Sequence, residues 1–493
     1  MRRSVIAARG ALRHSSRSQA QAQASTSAQA QAEAQAPTPA QPKGPLFDTF
    51  GRFHDYLRIS LTEKCNLRCL YCMPAEGVAL SAKPQLATLE ERKQLISIFA
   101  ELGVRKLRFT GGEPTISNQL TALIAHAKDC GITNIGITSN GLILKPQLAT
   151  LVAAGLTSVN ISLDTLDDQK YASITRRDAK NLPRVMGSIY AAVALGLPVK
   201  INCVLMRGFN DLEVSDFVSL TREIALDVRF IELMPFDGNS WSEQKFMGYR
   251  EVLGGLRKEG IELVRDDGVE SSSRNSHSGS SGGGSGGSGT GGSIGDSISG
   301  DSSNNSHIDI HSDIHSSVSG KGRSWSHSSG SGGGGGIGIR GTRDPNDTTK
   351  WWRAVIGESG KSAYGVSAEG ESGNSLSGGK PGNSSGEPGH NGDGDHGSVH
   401  LGRVGFITSM SEHFCGTCNR LRITADGKLK VCLFGKDGLD LLALLRGGAS
   451  TEEVRGALGG AVGAKYRSLG GHKSAQDIAA NSGENRPMIL IGG

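Results

Sequence analysis

Between residues 55 and 235, short β-branched runs alternate with amphipathic helical stretches. The runs are Tyr56–Leu61, Lys106–Phe109, Asn134–Thr138, Ser158–Leu163, Val199–Leu205 and Val228–Leu233. A strand that is always followed by a helix returns in the same direction, so the alternation predicts parallel βα units. The crossover lengths suit a partial barrel better than a sandwich. One helix is predicted from Thr88, where the capping box Thr88-Leu-Glu-Glu91 precedes Leu95, Ile98, Phe99 and Leu102 at helical spacing. In such barrels the chemistry sits on loops that follow the C-terminal ends of the strands.

The rest of the 493-residue chain does not continue this pattern. Residues 268–341 and 358–399 are rich in Gly, Ser, Asn and His; over 271–340, 44 of 70 residues are Gly or Ser. Such tracts cannot offset their ordering entropy by burial and are expected to be disordered insertions. His277, His307, His311, His315 and His327 fall there without fixed spacing, so metal binding is not expected of them. Residues 342–357 form an island between the tracts, and its adjacent Trp351 and Trp352 are expected to dock on the folded body.

Residues 1–43 read as a transit peptide and linker. The first 30 carry Arg2, Arg3, Arg9, Arg13 and Arg17 and no acid, and they lack a secretory apolar stretch. An Ala/Gln run follows, and folded sequence is expected from near Phe47. Residues 1–43 hold six basic residues and one acid, which leaves 47 basic against 47 acidic residues elsewhere. The basic balance therefore belongs to the leader, and nothing global argues for a nucleic-acid partner. No run of 18 apolar residues exists, so no spanning helix is expected.

The loop after the first strand reads Glu63-Lys-Cys65-Asn-Leu-Arg-Cys69-Leu-Tyr-Cys72-Met-Pro74. Three cysteines at this spacing can wrap one metal centre, and thiolates suit zinc or iron–sulfur clusters. Structural zinc takes four ligands, so three local thiolates leave one position open or require a remote fourth. The next strand ends in Arg108-Phe-Thr-Gly111-Gly112-Glu113-Pro114. Adjacent glycines let the backbone approach a ligand, and a carboxylate there can hold an ammonium group. A second set lies at Cys415, Cys418 and Cys432, spaced C-x-x-C-x13-C. It too has no local fourth ligand, and zinc with a distant ligand stays open on spacing alone. Cys130 and Cys203 remain as expected buried thiols. A disulfide scaffold does not suit such clustered spacings.

The first cysteine loop with Tyr71 inside it, followed by Gly-Gly-Glu-Pro, resembles the radical S-adenosylmethionine enzymes. The second set, embedded in Ser411-Glu-His-Phe-Cys-Gly-Thr-Cys-Asn-Arg-Leu-Arg422, resembles one subfamily, the GTP 3',8-cyclases of molybdenum cofactor biosynthesis, in their mitochondrial eukaryotic form. The likeness covers 47–265, 342–357, 400–446 and the terminal 485–493; it is loose over 446–480 and absent over 1–43 and the Gly/Ser tracts. It implies an α/β fold: a partial (β/α)6 TIM-like barrel over 47–265, with a second iron–sulfur and GTP-binding region over 400–493.

The resemblance also implies roles. Cys65, Cys69 and Cys72 hold a 4Fe-4S cluster whose open iron binds S-adenosylmethionine. Tyr71, Gly112, Ser162 and Met234 line that cofactor's pocket. Cys415, Cys418 and Cys432 hold a second 4Fe-4S cluster facing guanine. Arg58, Arg108, Ser139, Lys200, Arg420, Leu421 and Arg422 contact GTP. A deoxyadenosyl radical takes hydrogen from the ribose 3' carbon, and the sugar radical adds to guanine carbon 8. The product, 3',8-cyclo-7,8-dihydro-GTP, passes to a separate cyclic pyranopterin monophosphate synthase. An unidentified electron donor is implied, a homodimer is compatible, and the location is the mitochondrial matrix, with a plastid as the other address. Gly492 and Gly493 are expected to reach the pocket between the clusters, behind an extended Met488–Ile491. Two other readings use the same cysteines: a radical enzyme acting on a peptide or tRNA, and a non-catalytic zinc-stapled protein.

Overall fold

The computed structural model of the protein describes residues 44–266, 347–355, 400–436 and 438–492. The leader and linker, the Gly/Ser tracts with their histidines, the outer parts of the 342–357 island and Gly493 lie outside the described residues.

The expected runs form β1 (Tyr56–Ser60), β2 (Lys106–Thr110), β3 (Asn134–Ser139), β4 (Ser158–Ser162), β5 (Val199–Leu205) and β6 (Asp227–Glu232). Later in the chain come β7 (Glu262–Arg265), β8 (Lys350–Val355), β9 (Arg403–Ile407), β10 (Arg420–Ile423) and β11 (Leu429–Lys430). All lie in one sheet, in the order β11-β10-β1-β2-β3-β4-β5-β6-β9-β8-β7. The C-terminal region adds a strand at each end of the original six. β10 runs parallel to β1, and β9 parallel to β6, so eight consecutive strands are parallel. The island residues Lys350–Val355 supply β8, which pairs antiparallel with β7 and β9 and buries Trp351.

Period-two alternation decides which face is which. Leu57, Ile59, Leu107, Phe109, Ile135, Ile137, Val159, Ile161, Ile201, Val228, Phe230, Val404 and Leu421 point outward into one apolar core shared with the helices. Each such buried side chain contributes about 1.5–3 kcal/mol by leaving water. The helix Leu89–Glu101 shows how the sequence secures this layer. Thr88 Oγ1 accepts from the Glu91 amide at 3.3 Å, and Glu91 Oε2 accepts from the Thr88 amide at 2.7 Å. Leu95, Ile96 and Phe99 then face the sheet. The alternate positions face the lumen, and on β1 to β4 all but Gly136 carry a polar side chain.

The C-terminal Met488–Ile491 departs from the extended conformation expected of β-branched residues. It forms a single helical turn after Pro487, closed by Gly492 at φ +83°. Ile491 packs with Phe236, Phe434, Leu469 and Ile478. Propensity yields here to burial in a small apolar cluster.

Candidate active site

The register lines up cations across the lumen. Arg422, Arg58 and Arg108 are neighbours on β10, β1 and β2. Arg420, Tyr56 and Lys106 form the layer two residues nearer the strands' N-terminal ends. On the far side Lys200 pairs with Asp227, and Asn202 with Arg229. Arg108 Nε donates to Tyr56 Oη at 3.0 Å, and Nη1 to the Ile137 carbonyl at 2.8 Å. Gly136 makes that reach possible, because a Cβ there would lie 2.8 Å from the guanidinium.

These charges are crowded and only partly answered. The Nε atoms of Arg58, Arg420 and Arg422 are buried without a hydrogen-bond partner, as are Ser60 Oγ, Ser158 Oγ and Asn160 Oδ1. Burial pulls Arg58 down to about 9 and Arg229 to about 10. Burial alone would raise the Tyr56 phenol, but Arg108, Arg58, Lys106 and Arg420 together bring it to about 6. Lys200 is held by Asp347 Oδ2 at 2.9 Å, and its ammonium lies 4.8 Å from the centre of the Trp351 ring. Arg420 Nη2 donates to Thr348 Oγ1 at 2.5 Å. The Asp347–Thr348 strap thus ties β5 to β10 across the N-terminal mouth of the lumen. A polyanion suits this chamber, because several fixed guanidiniums match phosphate oxygens.

The first cysteine set lies on the loop beyond β1, at the C-terminal end of the strands. Its loop is seated on the β2 turn: Gly112 N donates to the Thr62 carbonyl at 2.6 Å and Glu113 N to the Lys64 carbonyl at 2.9 Å. A Cβ on Gly112 would sit 2.2 Å from the Lys64 carbonyl oxygen, so only glycine fits. Burial pushes the Cys72 thiol up to about 12 and Cys69 well above its ordinary value, with neighbouring sulfurs and Asp164 adding to both. Tyr71 Oη donates to Asp164 Oδ2 at 2.9 Å, and burial raises Asp164 to about 6.

The second set meets at the other end. Cys415 and Cys418 precede β10, which is parallel to β1, and Cys432 follows β11, its antiparallel neighbour. Burial raises the Cys415 thiol, and it feels Cys432 and Cys418 nearby. Cys418 goes the other way: burial would raise it, but Lys465 and then Arg420 bring it below its ordinary value.

Between the two ends sits the C-terminal tail. Thr110 Oγ1 donates to the Gly492 carbonyl at 3.0 Å, and a Cβ on Gly492 would lie 2.8 Å from both Ser60 Cβ and Thr110 Oγ1. Ser60 and Thr110 stand two residues beyond Arg58 and Arg108, roughly 7 Å along the strands. Gly492 therefore lies between the arginine layer and the first cysteine loop.

Other expected site residues fall in mixed places. Ser162 ends β4 beside Asn202, and Met234 packs next to Phe236 and Phe434. Ser139 Oγ donates to Glu113 Oε1 at 2.8 Å and accepts from the Gly141 amide at 3.0 Å, so its hydroxyl braces the β2 turn. Leu421 points into the apolar core and offers the lumen only its backbone. Glu113 is itself taken up by Thr115, Ser139 and the Asn140 amide. Of the remaining thiols, Cys203 is buried in β5 and Cys130 is half-buried at a helix end. Sequence reasoning missed Tyr56, Lys106 and Arg229. The signal was present: in β1, β2 and β6 they lie two residues before Arg58, two before Arg108 and two after Asp227.

Residues 59–221 match the Radical SAM superfamily, and 393–469 match Molybdenum Cofactor Synthesis C. The chain is 36% identical over 452 residues to an Arabidopsis thaliana protein named "GTP 3',8-cyclase, mitochondrial", covering 91% of this chain and 83% of that one. It is 32% identical over 418 residues to a Peptoclostridium acidaminophilum GTP 3',8-cyclase, covering 84% and 90% respectively. The chain belongs to the GTP 3',8-cyclase family. The same stretch is 39% identical over 448 residues to "Molybdenum cofactor biosynthesis protein 1" of Bos taurus, covering 90% of this chain. This chain spans about half the length of that protein and of its human and mouse counterparts, 51% in each case.

Membership in this radical S-adenosylmethionine family implies a 4Fe-4S cluster and S-adenosylmethionine. The first loop offers the donors such a cluster takes, because Cys65, Cys69 and Cys72 are three free thiols on one turn. Among the described residues no three Cys, His, Asp or Glu side chains converge on a single-ion site. No helix among the described residues is long and apolar enough to cross a membrane.

Proposed function

We propose that this protein is a GTP 3',8-cyclase, which converts GTP to 3',8-cyclo-7,8-dihydro-GTP in the first step of molybdenum cofactor biosynthesis. The observation that carries this reading is the layer of buried, incompletely partnered guanidiniums lying between two three-cysteine sets. Cys65, Cys69 and Cys72 hold one 4Fe-4S cluster, and Cys415, Cys418 and Cys432 a second. When bound, the first cluster and S-adenosylmethionine supply one electron and a carbon radical able to take hydrogen from ribose.

The chain's own residues position and enclose. Arg58, Arg108, Arg229, Arg420 and Arg422, with Lys106 and Lys200, grip the triphosphate. Tyr71, Gly112, Ser162 and Met234 line the pocket for S-adenosylmethionine. Ser139 acts through Glu113, by fixing the turn that carries Gly112, and Leu421 acts through its backbone. Gly492 narrows the lumen where reacting carbons must meet and keeps water out. The product requires a separate synthase, and the cluster requires an electron donor. The mitochondrial matrix fits the arginine-rich leader and the name of the Arabidopsis relative.

Anaerobic incubation with GTP, S-adenosylmethionine and dithionite tests the proposal. The expected products are 5'-deoxyadenosine and the cyclised nucleotide, identified by mass spectrometry. Formation of 5'-deoxyadenosine with GTP left intact would refute the cyclase and leave a radical enzyme of another substrate class.

A further inference from the structure

Lys465 lies behind the second cysteine set and is 4% exposed. Its Nζ is 2.8 Å from His54 Nε2, 3.3 Å from the carbonyl oxygens of Cys418 and Arg420, and 3.8 Å from Cys418 Sγ. His54 Nδ1 lies 3.0 Å from the Leu46 carbonyl, which can only accept. The ring hydrogen therefore sits on Nδ1, and Nε2 offers Lys465 a lone pair. Burial, with Lys465 beside it, lowers His54 to about 4, so the imidazole stays neutral. The carboxylate nearby, Asp48, lies 3.7 Å from His54 Nε2 but is bound by Arg52 at 2.5 Å. None of the described carboxylates forms an ion pair with Lys465.

A buried cation thus has three neutral acceptors and one sulfur around it. Removing an ammonium from water costs several kcal/mol unless a counter-charge answers it. The adjacent group able to supply that charge is Cys418, because a thiol that binds a metal gives up its proton. Arg52 reinforces the same side, donating to the Cys415 carbonyl at 2.5 Å. The first cysteine set has no equivalent buried ammonium among the described residues; Asp164, Glu113 and the Arg68 guanidinium, which donates to the Cys65 carbonyl at 2.7 Å, stand near it.

We propose that Lys465, steered by His54, is a built-in counter-ion of the second cluster and raises its reduction potential. This rests on the reading that Cys415, Cys418 and Cys432 hold that cluster. Lys465 is a positioning residue and does not touch the substrate. A fixed positive charge beside the sulfur, with its N–H aimed at it, favours the form of the cluster that carries one more electron.

The test uses the full chain with the first set removed by C65A/C69A/C72A, so that only the second cluster gives a signal. After anaerobic loading with iron and sulfide, the protein is titrated with dithionite as one-electron source and followed by electron paramagnetic resonance. In K465M the reduced-to-oxidised ratio at a fixed potential should fall about tenfold, a shift of about 59 mV for one electron. K465R should stay close to the parent. An unchanged midpoint in K465M with full iron overturns the proposal. If K465M binds no iron, K465Q serves as the neutral variant. Iron loss from both neutral variants with retention in K465R supports a charge requirement, and loss from all three shows a packing role and overturns it. A parent that binds no cluster at all overturns the two-cluster reading instead.

Discussion

The two cysteine triplets have the same number of thiols and different surroundings. Around Cys65, Cys69 and Cys72 stand Tyr71 and the buried Asp164 and Glu113, with one cation, Arg68, on the Cys65 carbonyl, and burial with like charge raises the thiols. Around Cys415, Cys418 and Cys432 stand Lys465, Arg52, Arg420 and Arg422. An acidic setting makes an added electron costly to hold and easy to pass on. A basic setting holds charge and attracts anions. The contrast suits a division of labour in which one end delivers an electron and the other end receives a polyphosphate.

The sharpest way to break this comparison is Cys69→Ala. It should abolish 5'-deoxyadenosine formation and leave GTP binding measurable by calorimetry. Cleavage of S-adenosylmethionine at the parent rate would remove the first set from the chemistry. Truncation after Ile491 probes the space between the sets. Both clusters and S-adenosylmethionine cleavage should persist, while cyclised product falls steeply, because Gly492 no longer lies against Ser60 and Thr110. Full product yield would make the tail a bystander.

Arg229→Ala tests whether the far wall belongs to the basic end. Charge-assisted hydrogen bonds contribute about 1.5–3 kcal/mol. KM for GTP should therefore rise roughly tenfold to a hundredfold, with 5'-deoxyadenosine formation in the absence of GTP unchanged. An unaltered KM would restrict the phosphate site to the β1, β2 and β10 side. The smallest effect is expected from Asp48→Asn, which loosens Arg52 behind Cys415. Burial alone would raise the Asp48 carboxyl, but its bonds to Arg52 hold it below its ordinary value of 3.8. A lowered folded value means its stabilisation is complete above about 3.8 and is lost as pH falls through the lowered value. Thermal melts should show the variant less stable by about 1–3 kcal/mol at neutral pH, with the gap closing in acid. A gap that persists at low pH would assign the effect to packing.

Much of this was legible in the chain because it is local. The six strands, the Thr88 capping box and both cysteine spacings each occupy a few consecutive residues. The lumen was half legible. Lys106, Arg108 and Thr110 alternate with Leu107 and Phe109, yet that reveals a polar interior only once the helices are known to cover the apolar face. Partners distant in sequence left no trace. Nothing around Lys465 announces that it will meet His54 and Cys418. Nothing in Arg420–Ile423 says that it will flank β1. The terminal turn is hidden from the sequence because the β-branched Ile489 and Ile491 favour an extended run, and the cluster with Phe434 and Leu469 is tertiary.

The pairing of β10 with β1 has a consequence in time. Asn419 Nδ2 donates to Asp55 Oδ1 at 2.6 Å across a sequence separation of 364 residues. During folding β1 waits for an outer neighbour that closes a loop of this length, and a longer loop costs more entropy to close than the one to β2. Throughout that interval the edge of β1 is unpaired and the cysteine loop above it is already made. The first cysteine set is complete beside an unfinished wall, whereas the second lacks Cys432 until the wall itself closes. Non-local pairing of this kind slows folding, and here the delay sets the order in which the two cysteine sets become enclosed.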